Sequence, residues 1–219
     1  MRILTLIGGL AFWPQMALAG DMALVLGDIG QIATLRNETA TISADFAGPL
    51  REAGFEVVQP KNRSSGNMRL AAQRIEAALG AGEVDRLVIV VMGPIASSAR
   101  ESWALSNGAA GATSLNVGVT GVSLGALSDM ASAARGRAVI LIAPGRSVTT
   151  LGNGLMPGVK DLHLAPDVTY VIGPAASLAG VLSDGLLVAG KSFSEVAGDA
   201  PEDVQILGFT SAQVGLMTD

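Results

Sequence analysis

The segment GVSLG, residues 121–125, has the spacing of a serine nucleophile. In α/β-hydrolases the pattern G-x-S-x-G forms a sharp turn between a strand and a helix, and this turn exposes the serine hydroxyl. Such a serine needs a base and an orienting acid later in the chain, and Asp161 and His163 follow it. The spacing therefore raises the hypothesis of a small serine hydrolase that uses Ser123 and His163.

The spacing instead favours a structural role for Ser123 and His163. Hydrolases place the acid and the histidine on separate strand ends, whereas Asp161 and His163 are separated by one residue. Serine is a preferred N-cap residue, so we expect Ser123 to cap a helix that begins at Leu124. His163 lies between apolar residues in a long loop, where a lone histidine more often packs or faces solvent than catalyses.

The cysteine and histidine counts restrict the chemistry further. The chain has no cysteine and one histidine. Thiol nucleophiles, thiolate–metal sites and disulfides are thereby excluded, and a site with several histidine ligands is excluded as well. We predict no metal and no cofactor, and the fold must be held by burial alone.

The charge of the chain argues against two classes of partner. The 219 residues carry a net charge of −5, and no cluster of lysine and arginine stands out. Nucleic acid and anionic membranes attract basic patches, so both are poor partners for this chain. The composition says nothing about the oligomeric state.

The amino terminus has the layout of a secretory signal peptide. Met1 and Arg2 give a short positive start, an apolar run covers residues 3–12, and Ala17-Leu18-Ala19 is a small-x-small cleavage site. The apolar run is about half as long as the ~20 residues needed to span a bilayer. We therefore predict a signal peptide over residues 1–19 and cleavage before Gly20. The exported domain would cover residues 20–219, without a membrane span, in the periplasm or outside the cell.

Short apolar runs alternate with segments of helical spacing along the rest of the chain. Runs rich in Val, Ile and Leu predict buried strands, and strand–helix alternation indicates a parallel sheet covered by helices. The predicted fold class is α/β, a single-domain three-layer sandwich with a mostly parallel sheet of about six strands. The expected strands are 23–27, 55–58, 87–92, 138–143, 168–172 and 204–209. The expected helices are 42–53, 67–79 and 124–134, with a helical turn at 192–197. A small hairpin or loop is expected over 102–118.

Several blocks occur in an order that is known from one family. They are ALVLG (23–27), FAGPLREAGFEVVQPKNRSSGNMRLAAQRIEAAL (46–79), VDRLVIVVMG (84–93) and GVSLGALSDMASAARGRAVILIAPGR (121–146). Together they resemble the caspase-like domain of clan CD cysteine peptidases, the peptidase C14 family, in its bacterial metacaspase-like branch. The resemblance covers residues 22–150 and implies a caspase-like fold. In active members the third strand leads to the catalytic histidine, and the fourth ends in Asp-Ala-Cys-Arg.

The chain departs from this family at both catalytic positions. The histidine position falls on or next to Pro94, the cysteine position falls at Gly145, and only Arg146 remains of the second motif. In such peptidases a thiolate attacks the carbonyl while an imidazole handles the proton, and proline and glycine do neither. The resemblance therefore implies a pseudo-peptidase that keeps the scaffold without the catalytic dyad.

A caspase-like domain without a dyad is expected to act by binding a peptide or a protein. The groove would lie between the carboxyl ends of the strands at 87–92 and 138–143, framed by the loops at 107–118 and 146–158. Arg146 could hold a carboxylate bidentately, and Ser97 and Ser98 could line the groove. A structural ion pair for Arg146, a solvated loop for the two serines, and a subunit of an envelope complex remain open as alternatives.

Overall fold

The computed structural model describes residues 20–27, 36–107, 109–134, 137–145 and 150–217. The described residues form ten strands, which are β1 (Gly20–Leu26), β2 (Glu56–Val58), β3 (Val84–Gly93), β4 (Ile95–Ser97), β5 (Ser102–Leu105), β6 (Gly121–Ser123), β7 (Ala138–Pro144), β8 (Met156–Pro157), β9 (Val168–Ile172) and β10 (Gln205–Gly208). They also form six α-helices, which are α1 (Arg36–Glu52), α2 (Ser65–Gly80), α3 (Val117–Thr120), α4 (Leu124–Ser132), α5 (Ala175–Val181) and α6 (Phe193–Gly198).

Six of these strands form the main sheet, in the order β10-β9-β7-β3-β1-β2. Strands β2, β1, β3, β7 and β9 are parallel to their neighbours, and β10 is an antiparallel edge strand. The predicted fold class, an α/β sandwich with a mostly parallel sheet of about six strands, is confirmed. The arrangement is consistent with the caspase-like fold that the sequence predicts.

The central strands are apolar on both faces because helices cover both sides of the sheet. In β3, residues 87–91 have no exposed surface, and Leu87 is aligned with Met22 of β1 and Ala138 of β7. Side chains alternate between the two faces along a strand, so Ile89 belongs to one core cluster and Val90 to the other.

Helices α2 and α4 cover one face of the sheet, and α1, α5 and α6 cover the other. Met68 and Ile75 of α2 pack on the first face, whereas Phe46 and Leu50 of α1 pack on the second. The prediction of helices on both faces is therefore confirmed. Burying these apolar side chains supplies the stabilisation that disulfides supply in many exported proteins.

A second, smaller sheet follows the carboxyl end of β3. Its strands are antiparallel and lie in the order β6-β5-β4-β8. The small sheet has its own apolar cluster, formed by Ala96, Trp103, Leu105, Ala109, Ala112, Val117 and Leu155. The hairpin expected over 102–118 is thus one part of a larger element that also draws on residues 95–97, 121–123 and 156–157.

Several elements differ from the sequence-based expectations. Helix α1 begins at Arg36, earlier than expected, and the sequence analysis did not anticipate helix α5. A π-helical turn over Leu182–Leu186 continues α5. The segment ASLAGVLSDGLL is rich in alanine, glycine and serine, which blurs its helical periodicity, and burial against the sheet outweighs this weak propensity.

At the amino end of the sheet, a charged pair joins two strands. Arg86 of β3 donates two hydrogen bonds to the Asp21 carboxylate of β1, and its guanidinium also lies over the Phe55 ring. Both charged side chains are largely buried.

None of the described helices has both the length and the apolar character that a bilayer-spanning helix requires.

The capping box at the start of α6 provides a measurable pH effect. The Glu195 carboxylate accepts hydrogen bonds from the Ser192 hydroxyl and backbone N–H, and these bonds hold the pKa of Glu195 below its usual range. The hydroxyl bond is the larger cause. A lowered pKa in the folded state stabilises the protein above the ordinary glutamate pKa, and this stabilisation is lost as the pH falls through the lowered value.

We therefore predict that Ser192→Ala raises the pKa of Glu195 towards its ordinary value. Titration of the side-chain carboxyl carbon by NMR measures this shift. Ser132→Ala, a surface change on α4 at the opposite face of the sheet, is the control and should leave the titration unchanged. An unaltered Glu195 titration in Ser192→Ala would contradict the capping box as its cause.

Candidate functional site

The carboxyl ends of β3 and β7 lie side by side, where ligands bind in most open α/β sheets. Gly93 is aligned with Pro144, and the N–H of Gly145 donates a hydrogen bond of 2.8 Å to the carbonyl of Gly93. Pro94 and Gly145, the positions that the resemblance assigns to the histidine and the cysteine, therefore follow neighbouring strand ends. Neither residue carries a nucleophile, an acid or a base.

The backbones approach each other so closely here that Gly145 has no space for a side chain. A Cβ atom added at Gly145 would lie 2.8 Å from the Cα and 3.0 Å from the carbonyl carbon of Gly93. Both contacts are with backbone atoms, so a cysteine at this position would force the two strand ends apart.

A buried arginine occupies the space beside Gly93. Arg63, in the loop between β2 and α2, is 2% exposed. Its Nε donates a hydrogen bond of 2.8 Å to the carbonyl of Leu105, and its Nη1 donates to the carbonyl of Met92. Gly93 has φ +108°, and an added Cβ would lie 2.3 Å from Nη1 of Arg63. Arg63 therefore joins the main sheet to the small sheet.

Arg63 is the residue of this site that the sequence analysis missed. It appears as one polar residue of the loop QPKNRSSGN, and a charged residue in such a loop normally faces solvent. Only the sheets that close over it make it a buried cation. A guanidinium stays protonated at neutral pH, so Arg63 donates hydrogen bonds and attracts anions but cannot act as a general base.

The two glycine-rich loops beside this edge are joined to each other. The N–H of Gly111 donates to the carbonyl of Thr150, and the N–H of Gly152 donates to the carbonyl of Ala112, at 2.9 and 2.7 Å. These bonds, together with the apolar cluster of the small sheet, hold the loops as one wall beside the strand ends. Arg146, the predicted carboxylate-binding residue, lies outside the described residues.

The two serines that follow β3 have distinct surroundings. Ser97 is fully buried, and its hydroxyl lies 2.6 Å from both the Ser102 hydroxyl and the carbonyl of Gly158. It also accepts a hydrogen bond from the N–H of Lys160. The Ser97 side chain thus fixes the segment that follows β8. The Ser98 hydroxyl is half-buried and accepts bonds from the backbone N–H groups of the next turn.

Ser123 and His163 lie near the same helix end without forming a catalytic pair. The Ser123 hydroxyl accepts a hydrogen bond of 2.9 Å from the N–H of Ala126, which makes Ser123 the N-cap of α4. The Nε2 atom of His163 lies 3.4 Å from the Asp129 carboxylate, and the His163 side chain is 64% exposed. No hydrogen bond between Ser123 and His163 is seen among the described residues.

The surroundings of Ser123 also differ from those of a nucleophile elbow. Strand β6, which precedes it, is an edge strand of the small antiparallel sheet. An elbow follows a strand of the main sheet of an α/β-hydrolase. The serine-hydrolase alternative with Ser123 and His163 is therefore not supported. Across the part of the chain that the structure describes, no group of three or more acidic or histidine side chains is placed to hold a metal ion.

Comparisons with known proteins give the following result. No protein-family model matches the chain, and no curated protein matches it. Among solved structures, the chain is similar to one described as "structure of pro-sf-caspase-1", with a TM-score of 0.48 and 13% sequence identity. The alignment covers 86% of this chain and 91% of that chain.

The tight packing at Gly93 predicts a large cost for an added methyl group. Gly93→Ala combines a positive φ with a clash against Arg63, whereas Gly54 has φ +91° and nothing within 4 Å of an added Cβ. Gly54→Ala should cost about 1 kcal/mol through conformation alone, and Gly93→Ala should cost about 3 kcal/mol or more. Chemical denaturation measures both. Equal costs would show that Arg63 does not fill this space.

The N-cap role of Ser123 predicts stability changes in Ser123 variants that a nucleophile would not produce. Ser123→Ala should lower the free energy of unfolding by about 1 kcal/mol, and Ser123→Asp should retain most of it because aspartate is also a good cap. A fluorophosphonate probe should label neither the wild-type protein nor the variants at position 123. Labelling of the wild-type protein at Ser123 would support the serine-hydrolase hypothesis and contradict a purely structural role for Ser123.

Proposed function

We propose that this chain is an exported, catalytically inactive caspase-like protein that binds a peptide or a partner protein. The single observation that carries the proposal is the contact between Gly145 and Gly93, which leaves no space for a nucleophile where the family places one. The proposal also rests on the resemblance of the sequence blocks to the caspase-like family. The absence of cysteine from the whole chain is consistent with it.

Inactivity follows from what each nearby group can do. Thiol attack needs a sulfur nucleophile and an imidazole within hydrogen-bond reach of it. The one histidine, His163, faces Asp129 on α4, and Arg63 remains a cation. A surface without a nucleophile placed beside a base can hold a peptide but cannot cleave it.

The binding surface that we propose is the carboxyl edge of β3 and β7 together with the joined loops beside it. The predicted position of Arg146 at this edge would make it attractive to a carboxylate. Ser98 would line the rim of the same edge, whereas Ser97 would act by holding the wall in place. An acidic side chain or the carboxyl terminus of a peptide is the chemistry that this surface would recognise.

Export is the second part of the proposal. Residues 1–19 would be removed after Ala19, and the domain that begins at Gly20 would work in the periplasm or outside the cell. This part of the proposal rests on the layout of residues 1–19, a short positive start, an apolar run and a small-x-small site. A role as a structural subunit of an envelope complex would use a different surface, so loss of binding in variants of the carboxyl edge separates the two roles.

We predict that the purified mature protein retains peptides with acidic or free carboxyl ends and releases none of them cleaved. A peptide library analysed by mass spectrometry tests both parts. Arg146→Ala should weaken peptide binding about tenfold, which corresponds to one lost bidentate contact. Arg137→Ala, just before the amino end of β7, is the matched control and should leave binding unchanged.

Two outcomes would contradict this proposal. Cleavage that disappears in Ser123→Ala or His163→Ala would show genuine catalysis by this chain. Failure to retain any peptide, or equal weakening by Arg146→Ala and Arg137→Ala, would remove the carboxyl edge as the binding surface. Cleavage that persists in both the Ser123 and the His163 variants would point to a contaminating peptidase.

A further inference from the structure

The first residue of β1 is held at the amino end of the sheet. The nitrogen of Gly20 donates a hydrogen bond of 2.7 Å to the backbone carbonyl of Glu83, and Gly20 is paired with Val84 of β3. Gly20 is also the residue that directly follows the predicted cleavage site. Cleavage there would place a new chain end within the sheet, at the position where Gly20 already lies.

A cleft of about 510 Å³ opens beside this residue. Its charged lining consists of Asp21, Glu56, Arg74 and Glu83. Arg74 is paired with Glu56, and Arg86 of β3 is paired with Asp21. The Glu83 carboxylate takes part in no ion pair among the described residues. Three carboxylates thus face two guanidinium groups, and the cluster carries one negative charge in excess.

We propose that cleavage after Ala19 turns Gly20 into an ammonium group that neutralises this cleft and stabilises the mature domain. This inference rests on the export part of the proposed function. In the cleavage step, water adds across the Ala19–Gly20 peptide bond. The bond between the Ala19 carbonyl carbon and the Gly20 nitrogen breaks, and the products are the Ala19 carboxylate and the Gly20 ammonium group.

The stabilisation comes from the positive charge and the two additional N–H donors that the Gly20 nitrogen acquires on cleavage. Before cleavage, the Gly20 amide is neutral and its single N–H is used by the Glu83 carbonyl. After cleavage, the ammonium group would keep that bond and have two further N–H groups available to the carboxylates that line the cleft. Hydrogen bonds between charged partners are about twice as strong as those between neutral partners.

The proposal has a defined dependence on pH. The groups around the ammonium group are Asp21 of β1, Glu56 of β2, Arg74 of α2, and Glu83 and Arg86 at the start of β3. Carboxylates and guanidinium groups stay charged between about pH 6 and pH 10, so only the α-amino group titrates there. An excess of negative charge raises its pKa. The stabilisation is then complete below the ordinary α-amino pKa and is lost as the pH rises through the raised value.

The experiment compares two chains that differ by one residue. A fusion protein cut in vitro gives residues 20–219 with a free Gly20 amine, and a second fusion gives residues 19–219, whose amine lies about 3.5 Å further along the chain. We expect the melting temperature of the shorter chain to be about 2 °C higher at about pH 6.5, with no difference left at about pH 10. Equal melting temperatures at both pH values would overturn the proposal.

A matched pair of variants identifies the carboxylate. Glu83→Gln, introduced into both chains, should abolish most of the difference in their melting temperatures. Glu202→Gln, introduced into both chains at an exposed glutamate in the turn before β10, should leave the difference unchanged. A loss of the difference in both variants would contradict a local effect at Glu83. Amino-terminal sequencing of the exported protein tests the cleavage site separately, so failure of export and failure of the ammonium site give different results.

Discussion

The close approach of two strand ends, at Gly93 and Gly145, is the constraint on which the rest of the site depends. The hydrogen bond between these residues continues the β3–β7 pairing one residue beyond Pro144. Because two glycines meet, the guanidinium of Arg63 fits against Gly93, where a side chain would otherwise lie. Arg63 then holds the carbonyl groups of Met92 and Leu105, so the main sheet and the small sheet share one junction.

The main sheet can support such a junction because its strands are buried on both faces. Strands β1, β3, β7 and β9 are almost entirely apolar, and the helices on each side seal them from water. A chain without cysteine has no covalent cross-link between these layers, so burial carries the stability. The charged groups that do enter the structure, Arg63, and Arg86 with Asp21, are held by hydrogen bonds. Such bonds offset the cost of removing a charge from water.

The same architecture is compatible with the binding role that we propose. Hydrogen bonds join the two loops to each other, and they share an apolar cluster with the small sheet. A surface held in this way loses little entropy when a peptide binds. The acidic cleft beside Gly20 lies at the opposite end of the sheet from the carboxyl ends of β3 and β7. The stabilisation that we propose for a Gly20 ammonium group would therefore leave the groups at the carboxyl edge unchanged.

The amino-acid sequence by itself determined the layers and the limits of the chemistry. Runs such as VIVV in β3 and VILI in β7 predict buried parallel strands, because a strand with one face in solvent alternates apolar and polar residues, whereas these runs are apolar on both faces. The absence of cysteine excludes a thiol nucleophile whatever the fold. The N-cap role of Ser123 was also predictable, because capping depends on a hydrogen bond within a few residues.

Only the tertiary structure decided the contacts between distant segments. Arg63 is buried because Met92 and Leu105, 29 and 42 positions away, supply its acceptors. No local pattern in a polar loop encodes that burial. The small sheet combines short strands from four separate segments, each too short and too rich in small residues to show a period of its own. Local propensity is a property of neighbouring residues, whereas burial and strand pairing arise only when remote parts of the chain meet.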